Sequence, residues 1–256
     1  MWLSDNLFRM GQSWNSRTSL LFGEGALDAL AESSVLVVGV GGVGAYAAEM
    51  ICRAGVGKLT IVDADCVSET NINRQLVALH STVGERKVDV LGRRLLDINP
   101  KLELTKYCEF LKDERVEQLL DSDRFDYVID AIDSLSPKVF LIKSALERKL
   151  PLISSMGAGA KSDITQIKIA DISKSFNCNL AKAVRKRLSK LGIKKGFMCV
   201  FSTEIADEKA VLLIDNEQNK VSTTGTVSYM PATFGNYISY YVIRSLVLQN
   251  REQGEK

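Results

Sequence analysis

The chain has 256 residues, 46% of them hydrophobic and 25% charged, with a formal net charge of +2. That length supports one large core with an elaborated second half, and the near-balanced charge means that any nucleic-acid contact must come from a local patch. Five cysteines, Cys52, Cys66, Cys108, Cys178 and Cys199, form no Cys-x-x-Cys pair, which fits a reducing cytosol and argues against both a disulfide framework and a four-cysteine zinc site.

Residues 1–12 lack the basic-then-apolar order of a signal peptide, and no apolar run reaches bilayer length, the last being interrupted by Arg244. A cytoplasmic protein is expected. Ser16-Arg17-Thr18 then precedes Leu20-Leu21-Phe22-Gly23, and residues 26–31 read as a short helix. Arg17 taken by itself is a solvated terminal charge.

The most informative stretch follows. Residues 35–38, VLVV, form a β-branched run of the kind needed by a strand buried on both faces. It ends in Gly39, Gly41, Gly42 and Gly44, a G-x-G-x-x-G pattern with one extra glycine. The first glycines allow a tight turn and a close approach of backbone to phosphate or ribose, and Gly44 lets the next helix pack against the strand. That helix spans residues 43–53 and stops at Gly55; a second strand, 59–62, ends in Asp63. A carboxylate about 20 residues past the glycines, at a strand tip, is where a nucleotide-binding βαβ unit holds ribose hydroxyls. Which nucleotide is bound stays open at this point.

His80 is the only histidine, and nothing near it in sequence supplies an oriented nucleophile, so it reads as a structural or surface residue. Lys87 opens a helix running to 99, with Val88, Leu91, Leu95 and Ile98 on one face. Residues 102–107 give a third strand, 116–120 a short helix and 127–129 a fourth strand ending at Asp130, with Asp133 in the loop before a helix over 137–149. Two carboxylates at the carboxyl end of a parallel strand sit where open α/β sheets bind ligands; the competing reading is that they cap the next helix.

The second half begins with strand 152–155, Gly157 and Gly159, and an extended run over 166–169. From residue 172 to 203 there is no acidic residue, while Lys182, Arg185, Lys186, Arg187, Lys190, Lys194 and Lys195 fall together, most of them on a helix over 180–191. Most charge runs are solvated faces, but one without compensating carboxylates suits RNA phosphates. Cys199 lies in an apolar run and reads as a small buried residue. Residues 211–214 and 221–224 read as a hairpin around Asp215-Asn216-Glu217, and 231–248 as a closing helix with Phe234, Ile238, Tyr241, Val242 and Ser245 on one side.

Beyond Asp63, the run Thr70-Asn71-Ile72-Asn73-Arg74-Gln75 has no use in a dehydrogenase. With GVGGVG and Asp63-Ala64-Asp65-Cys66-Val67, it resembles the ATP-dependent adenylating enzymes that include the ubiquitin-activating enzymes and the molybdopterin and thiazole adenylyltransferases. Within that superfamily the chain is most similar to the tRNA threonylcarbamoyladenosine dehydratases, through Tyr127 to Ser134, Gly157-Ala158-Gly159-Ala160, Cys199 to Glu204 and Ala232-Thr233-Phe234-Gly235. The absent cysteine pairs move it away from the sulfur-carrier branch.

The resemblance implies a Rossmann-like, mostly parallel α/β sheet with flanking helices and a partly antiparallel C-terminal extension. It implies a single adenylating domain, with residues 1–156 binding nucleotide and 157–256 holding tRNA. ATP would be held by the glycine loop with Asp63, Asp65, Asn71, Asn73, Arg74, Gln75, Lys87, Asp130 and Asp133. Asp133 would hold magnesium, Arg74 and Lys87 would face the phosphates, and Arg17 would reach into the partner subunit's site in a homodimer. The expected reaction is dehydration and cyclisation of threonylcarbamoyladenosine through an acyl-adenylate, with sulfur-transfer proteins as candidate assisting partners. An adenylyltransferase for a sulfur-carrier or ubiquitin-like protein, a nicotinamide-dependent oxidoreductase and a non-catalytic nucleotide sensor are the competing readings.

Overall fold

A computed structural model describes residues 13–217 and 220–254. Its centre is a seven-stranded sheet in the order β3-β2-β1-β4-β5-β7-β6, with β1 Ser34–Val38, β2 Lys58–Val62, β3 Glu103–Tyr107, β4 Tyr127–Asp130, β5 Leu152–Ser155, β6 Ile167–Asp171 and β7 Met198–Ser202. Strands β1 to β5 and β7 run parallel, and only the edge strand β6 is antiparallel, pairing Ile167 with Ser202 and Asp171 with Met198. The expected mixed sheet is therefore present.

Helices cover both faces: α1 Ser16–Phe22, α2 Glu24–Glu32, α3 Gly44–Ala54, α4 Lys87–Ile98, α5 Asp113–Leu120, α6 Leu135–Glu147, α7 Asn179–Lys190 and α8 Tyr229–Gly254. All five β1 residues are buried, because alternate residues feed two cores. Val35 and Val37 join residues of α3, α4 and α8 such as Ile51, Leu91 and Phe234. Leu36 and Val38 join Val116, Ile142 and Val184 on α5, α6 and α7. The longer-than-expected α8 lies along α3, with Gly235 against the Val43 carbonyl and Pro231 beside Gly42, so the second half of the chain supports the glycine loop directly.

Two expectations change. Residues 16–22, read only as a terminal segment, form α1. The hairpin β8 Val211–Glu217 with β9 Lys220–Thr224 carries the strand through Asp215-Asn216-Glu217, where a turn was expected; the connection itself lies outside the described residues. Turn-type residues gave way to a longer ladder with an irregularity between Leu213 and Glu217.

Candidate active site

The sheet order reverses between β1 and β4, so their connecting loops leave in opposite directions and open a crevice at their carboxyl ends, the usual ligand position in such sheets. A cavity of about 100 Å³ sits there, lined by residues that include Gly39, Asp63, Asp65, Phe110, Asp133 and Pro137. Gly39 has φ +87°, and a Cβ there would lie 2.7 Å from the Ala131 carbonyl oxygen; at Gly44 it would lie 1.8 Å from the Gly39 carbonyl oxygen. The loop is thus folded back between the two strand ends more tightly than any side chain permits.

The carboxylates and cations are arranged around that loop. Asp63 accepts from the backbone N–H of Val40 (2.8 Å) and of Asp65 (2.9 Å). Burial pushes its carboxyl above the usual aspartate range, against the pull of nearby Lys87 and those two donors. Lys87, first residue of α4, is buried, and its Nζ donates to Asp65 Oδ2 at 2.7 Å, while its backbone N–H donates to the Asp65 carbonyl. Asp65 itself is 64% exposed, so the pair places a shielded ammonium behind a solvent-facing carboxylate. An anionic ligand that displaced Asp65 would meet that ammonium without further rearrangement of α4.

The segment 70–75 wraps the other side. Arg74 Nη1 donates to the Thr70 carbonyl (2.7 Å) and to Asn73 Oδ1 (2.8 Å), which pins the guanidinium and leaves its remaining N–H groups without a partner among the described residues. Asn73 Nδ2 reaches the Thr226 carbonyl at 3.3 Å. Asn71 Oδ1 accepts from the Ser68 N–H and shapes the local turn, so its side chain is occupied as a cap. Gln75 lies beside Gly41, and its Oε1 is buried without a hydrogen-bond partner, leaving spare capacity at the loop.

Asp130 points into the protein interior. It is fully buried, with Oδ2 accepting from Lys138 Nζ (2.6 Å) and Ser154 Oγ (2.5 Å) and Oδ1 from the Ile132 N–H (3.1 Å). Asp130 was expected at the nucleotide, but its carboxylate is turned inward, where Lys138, Ser154 and the Ile132 N–H already engage it. Lys138, also fully buried, further donates to the Ser155 carbonyl and Ser154 Oγ. Asp133 is exposed on the crevice rim. Arg17 is exposed on α1, two residues from Asn15, which packs at Gly55. Gly55 closes α3, so the glycine loop lies a full helix length away, about 16 Å for its 11 residues. The chain does not bring Arg17 to its own crevice.

His80 is exposed in a 3-10 turn. All five cysteines are free. Burial pushes the Cys199 thiol up to about 12 and the Cys52 thiol up to about 11, which removes both as thiolate nucleophiles near neutral pH. Glu109, Phe110 and Leu111 also line the crevice, and no motif marks them in the sequence. The signal available was topological: the residues after β3 lie two strands from the switch point, at the same sheet end as Asp63.

The cationic residues form a separate face. On α7, Lys182, Lys186, Arg187 and Lys190 are exposed, as are Lys194 and Lys195 beyond it, whereas Ala181, Val184 and Leu188 face the core. None of the ion pairs among the described residues involves them. Arg187 donates to Ser136 Oγ (3.1 Å) at the start of α6, which ties this face to the crevice rim around Asp133 and Pro137, while Arg185 donates to Ser175 Oγ.

The ThiF family model matches residues 15–255, essentially all of the described chain. The chain belongs to the ThiF family. Among curated proteins, this ThiF-family chain is 43% identical to the tRNA threonylcarbamoyladenosine dehydratase of Bacillus subtilis, over 91% of this chain and 94% of that one. It is 36% identical to the Escherichia coli enzyme of the same name, over 96% and 98%. The crystal structure of that Escherichia coli enzyme in complex with ATP superposes with a TM-score of 0.85, covering 93% of this chain and 96% of the other. The Escherichia coli molybdopterin-synthase adenylyltransferase is 33% identical, but over only 59% of this chain.

Proposed function

We propose that this ThiF-family chain is an ATP-dependent tRNA threonylcarbamoyladenosine dehydratase. The observation that carries the reading is the Lys87–Asp65 clasp beside the Gly39–Gly44 loop, set in a chain similar over more than nine-tenths of its length to dehydratases, one of them solved with ATP.

The chemistry such a crevice suits is activation of a carboxylate, which is a poor electrophile because its charge repels nucleophiles and its leaving group would be oxide. Attack of the substrate's carboxylate on the α-phosphate gives an acyl-adenylate and pyrophosphate; the ureido nitrogen of the same substrate then displaces AMP and closes a ring, with net loss of water. The protein supplies position and charge, not a covalent bond. The narrow backbone approach at Gly39–Gly44 accommodates the phosphates, Asp63 holds the ribose, and Lys87 and Arg74 neutralise charge growing on pyrophosphate. Asp133, an exposed carboxylate on the crevice rim, would hold a magnesium ion, which favours a carboxylate together with phosphate oxygens and water, and the ion would offset phosphate charge. No cysteine is needed, since the nucleophile belongs to the substrate.

In this reading residues 1–156 bind the nucleotide and 157–256 the RNA, through α7, in the cytoplasm. The molecule acts as a homodimer in which Arg17 of one subunit enters the other's crevice. Its distance from its own glycine loop and the exposure of neighbouring Leu20 (70%) and Leu21 (76%) support that arrangement. Mixing Arg17→Ala and Lys87→Ala subunits is then expected to restore part of the activity that each homodimer lacks. Mass spectrometry of tRNA nucleosides after incubation with the chain and ATP is expected to show loss of one water from threonylcarbamoyladenosine. Running the assay with and without a sulfur-transfer system determines whether such partners assist. Pyrophosphate release only with a sulfur-carrier protein, and none with tRNA, would overturn the proposal in favour of an adenylyltransferase.

A further inference from the structure

One aromatic ring at the carboxyl end of the sheet has no role in the crevice or the core. Phe176 is 50% exposed, and the contacts around it define where its ring stands. Its ring meets that of buried Phe201 edge-on, centroids 5.8 Å apart. Ser175, on one side, is buried and accepts from the Arg185 guanidinium. Asn177, on the other, is at φ +52°, donates through Nδ2 to the Thr203 carbonyl at 2.8 Å and accepts from buried Lys161 Nζ at 3.2 Å. A half-exposed ring whose backbone neighbours are both hydrogen-bonded presents a face to solvent.

Its surroundings define what that face suits. Phe176 lies three residues before α7, so the ring stands at the head of the helix bearing Lys182, Lys186 and Arg187, with the Arg185 guanidinium one residue away. Phe201 lies one residue past the paired end of β5, at the sheet end that carries the crevice. Two strand spacings separate β7 from β4, roughly 10 Å, the scale of a neighbouring nucleotide. A flat apolar face beside unpaired cations is the arrangement by which proteins hold unstacked bases of single-stranded RNA, phosphates on the cations and a base on the ring.

We propose that Phe176 is a stacking platform for an unpaired base of the RNA substrate, next to the nucleoside whose carboxylate enters the crevice. The proposal rests on the RNA reading of α7 given above. Its test is the affinity of fluorescently labelled, threonylcarbamoyladenosine-containing tRNA for the full-length chain across a salt series. Phe176→Ala is expected to weaken binding about tenfold with the slope of log affinity against log salt unchanged, because every cation that faces a phosphate is still in place. Phe176→Leu, which keeps an apolar side chain against Phe201, is expected to weaken it several-fold. Phe176→Trp is expected to retain affinity and show fluorescence quenching on tRNA addition, with ATP binding the same in all variants. Affinity of Phe176→Ala and Phe176→Leu within twofold of the parent, or absence of quenching in Phe176→Trp, overturns the stacking role. Lys186→Glu with Arg187→Glu separates the two levels: if that variant loses affinity while the Phe176 variants do not, stacking alone falls, and if it too is silent, the RNA reading of this face falls with it.

Discussion

The crevice and the α7 face handle charge in opposite ways. Around the crevice, cations and carboxylates are held by the protein itself: Lys87 by Asp65, Arg74 by Thr70 and Asn73, Asp63 by two backbone N–H groups, Asp130 by Lys138. On α7, exposed lysines project with no carboxylate partner among the described residues. The first arrangement fixes geometry before a ligand arrives, which positioning in-line phosphoryl chemistry requires. The second fixes only sign, which is enough to hold a polyanion by counterion release. Breaking either should therefore produce different symptoms.

The largest effect is expected where charge is buried deepest. Lys138→Ala leaves Asp130 unpaired in a site with no access to water, and removing one partner of such a pair costs about 3–5 kcal/mol. Urea unfolding should show that loss, with the Lys138→Met, Asp130→Leu double variant recovering a large part of it. A single variant as stable as the parent would mean that the pair is not the scaffold of the crevice. Next comes Lys87→Ala. With the ammonium gone, AMP formation should fall about 100-fold to 1000-fold while the urea midpoint stays near the parent's, since Asp65 is exposed and rehydrates. Unchanged turnover would remove Lys87 from the phosphate site.

These two lysines also mark how far the sequence could be read. Lys87 stood out because its place after the Thr70–Gln75 run matches a phosphate-facing lysine of the family that the chain resembles, and the glycine loop and Asp63 because βαβ spacing is fixed by backbone geometry. Lys138 offered no such signal: a lysine in the first turn of a helix reads as solvated, and only the fold lays its Nζ beside Asp130 and Ser155. Strands β1, β2 and β4 were legible from their apolar runs, being buried along nearly their whole length, whereas β7 read only as an apolar run around Cys199. The antiparallel pairing of β6, the 109–111 lining and the placement of Arg17 at the far end of α3 depend on contacts between segments distant in sequence, which periodicity does not encode.

On the α7 side the expected effect is smaller and depends on salt. Lys186→Glu with Arg187→Glu should weaken tRNA binding and flatten the salt dependence by roughly 0.7–0.9 for each phosphate no longer neutralised, without changing ATP affinity. A parallel drop in ATP binding would show that the two regions are not separate, which the Arg187–Ser136 hydrogen bond at the crevice rim makes the sharper check.

Glu49 lies between these extremes: a buried carboxylate on α3 held by two half-exposed cations, Arg94 at 2.5 Å and Arg53 at 2.8 Å. Burial pushes its carboxyl up, but the hydrogen bonds from Arg94 and Arg53, with their charges, more than reverse that and hold it below the usual glutamate range. A carboxylate depressed in the folded state contributes stability that is fully present above its ordinary value of 4.5 and is lost as pH falls below 4.5 through the folded value. Glu49→Gln should therefore cost less stability than Lys138→Ala, because both arginines can turn to water, and it should remove part of the acid-side slope of the unfolding midpoint below pH 4.5 while leaving the slope near neutrality unchanged. An acid-side slope identical to the parent's would mean that the two exposed guanidiniums are screened as fully as the α7 lysines, and that burying one partner of a pair is not enough to make it behave like the crevice.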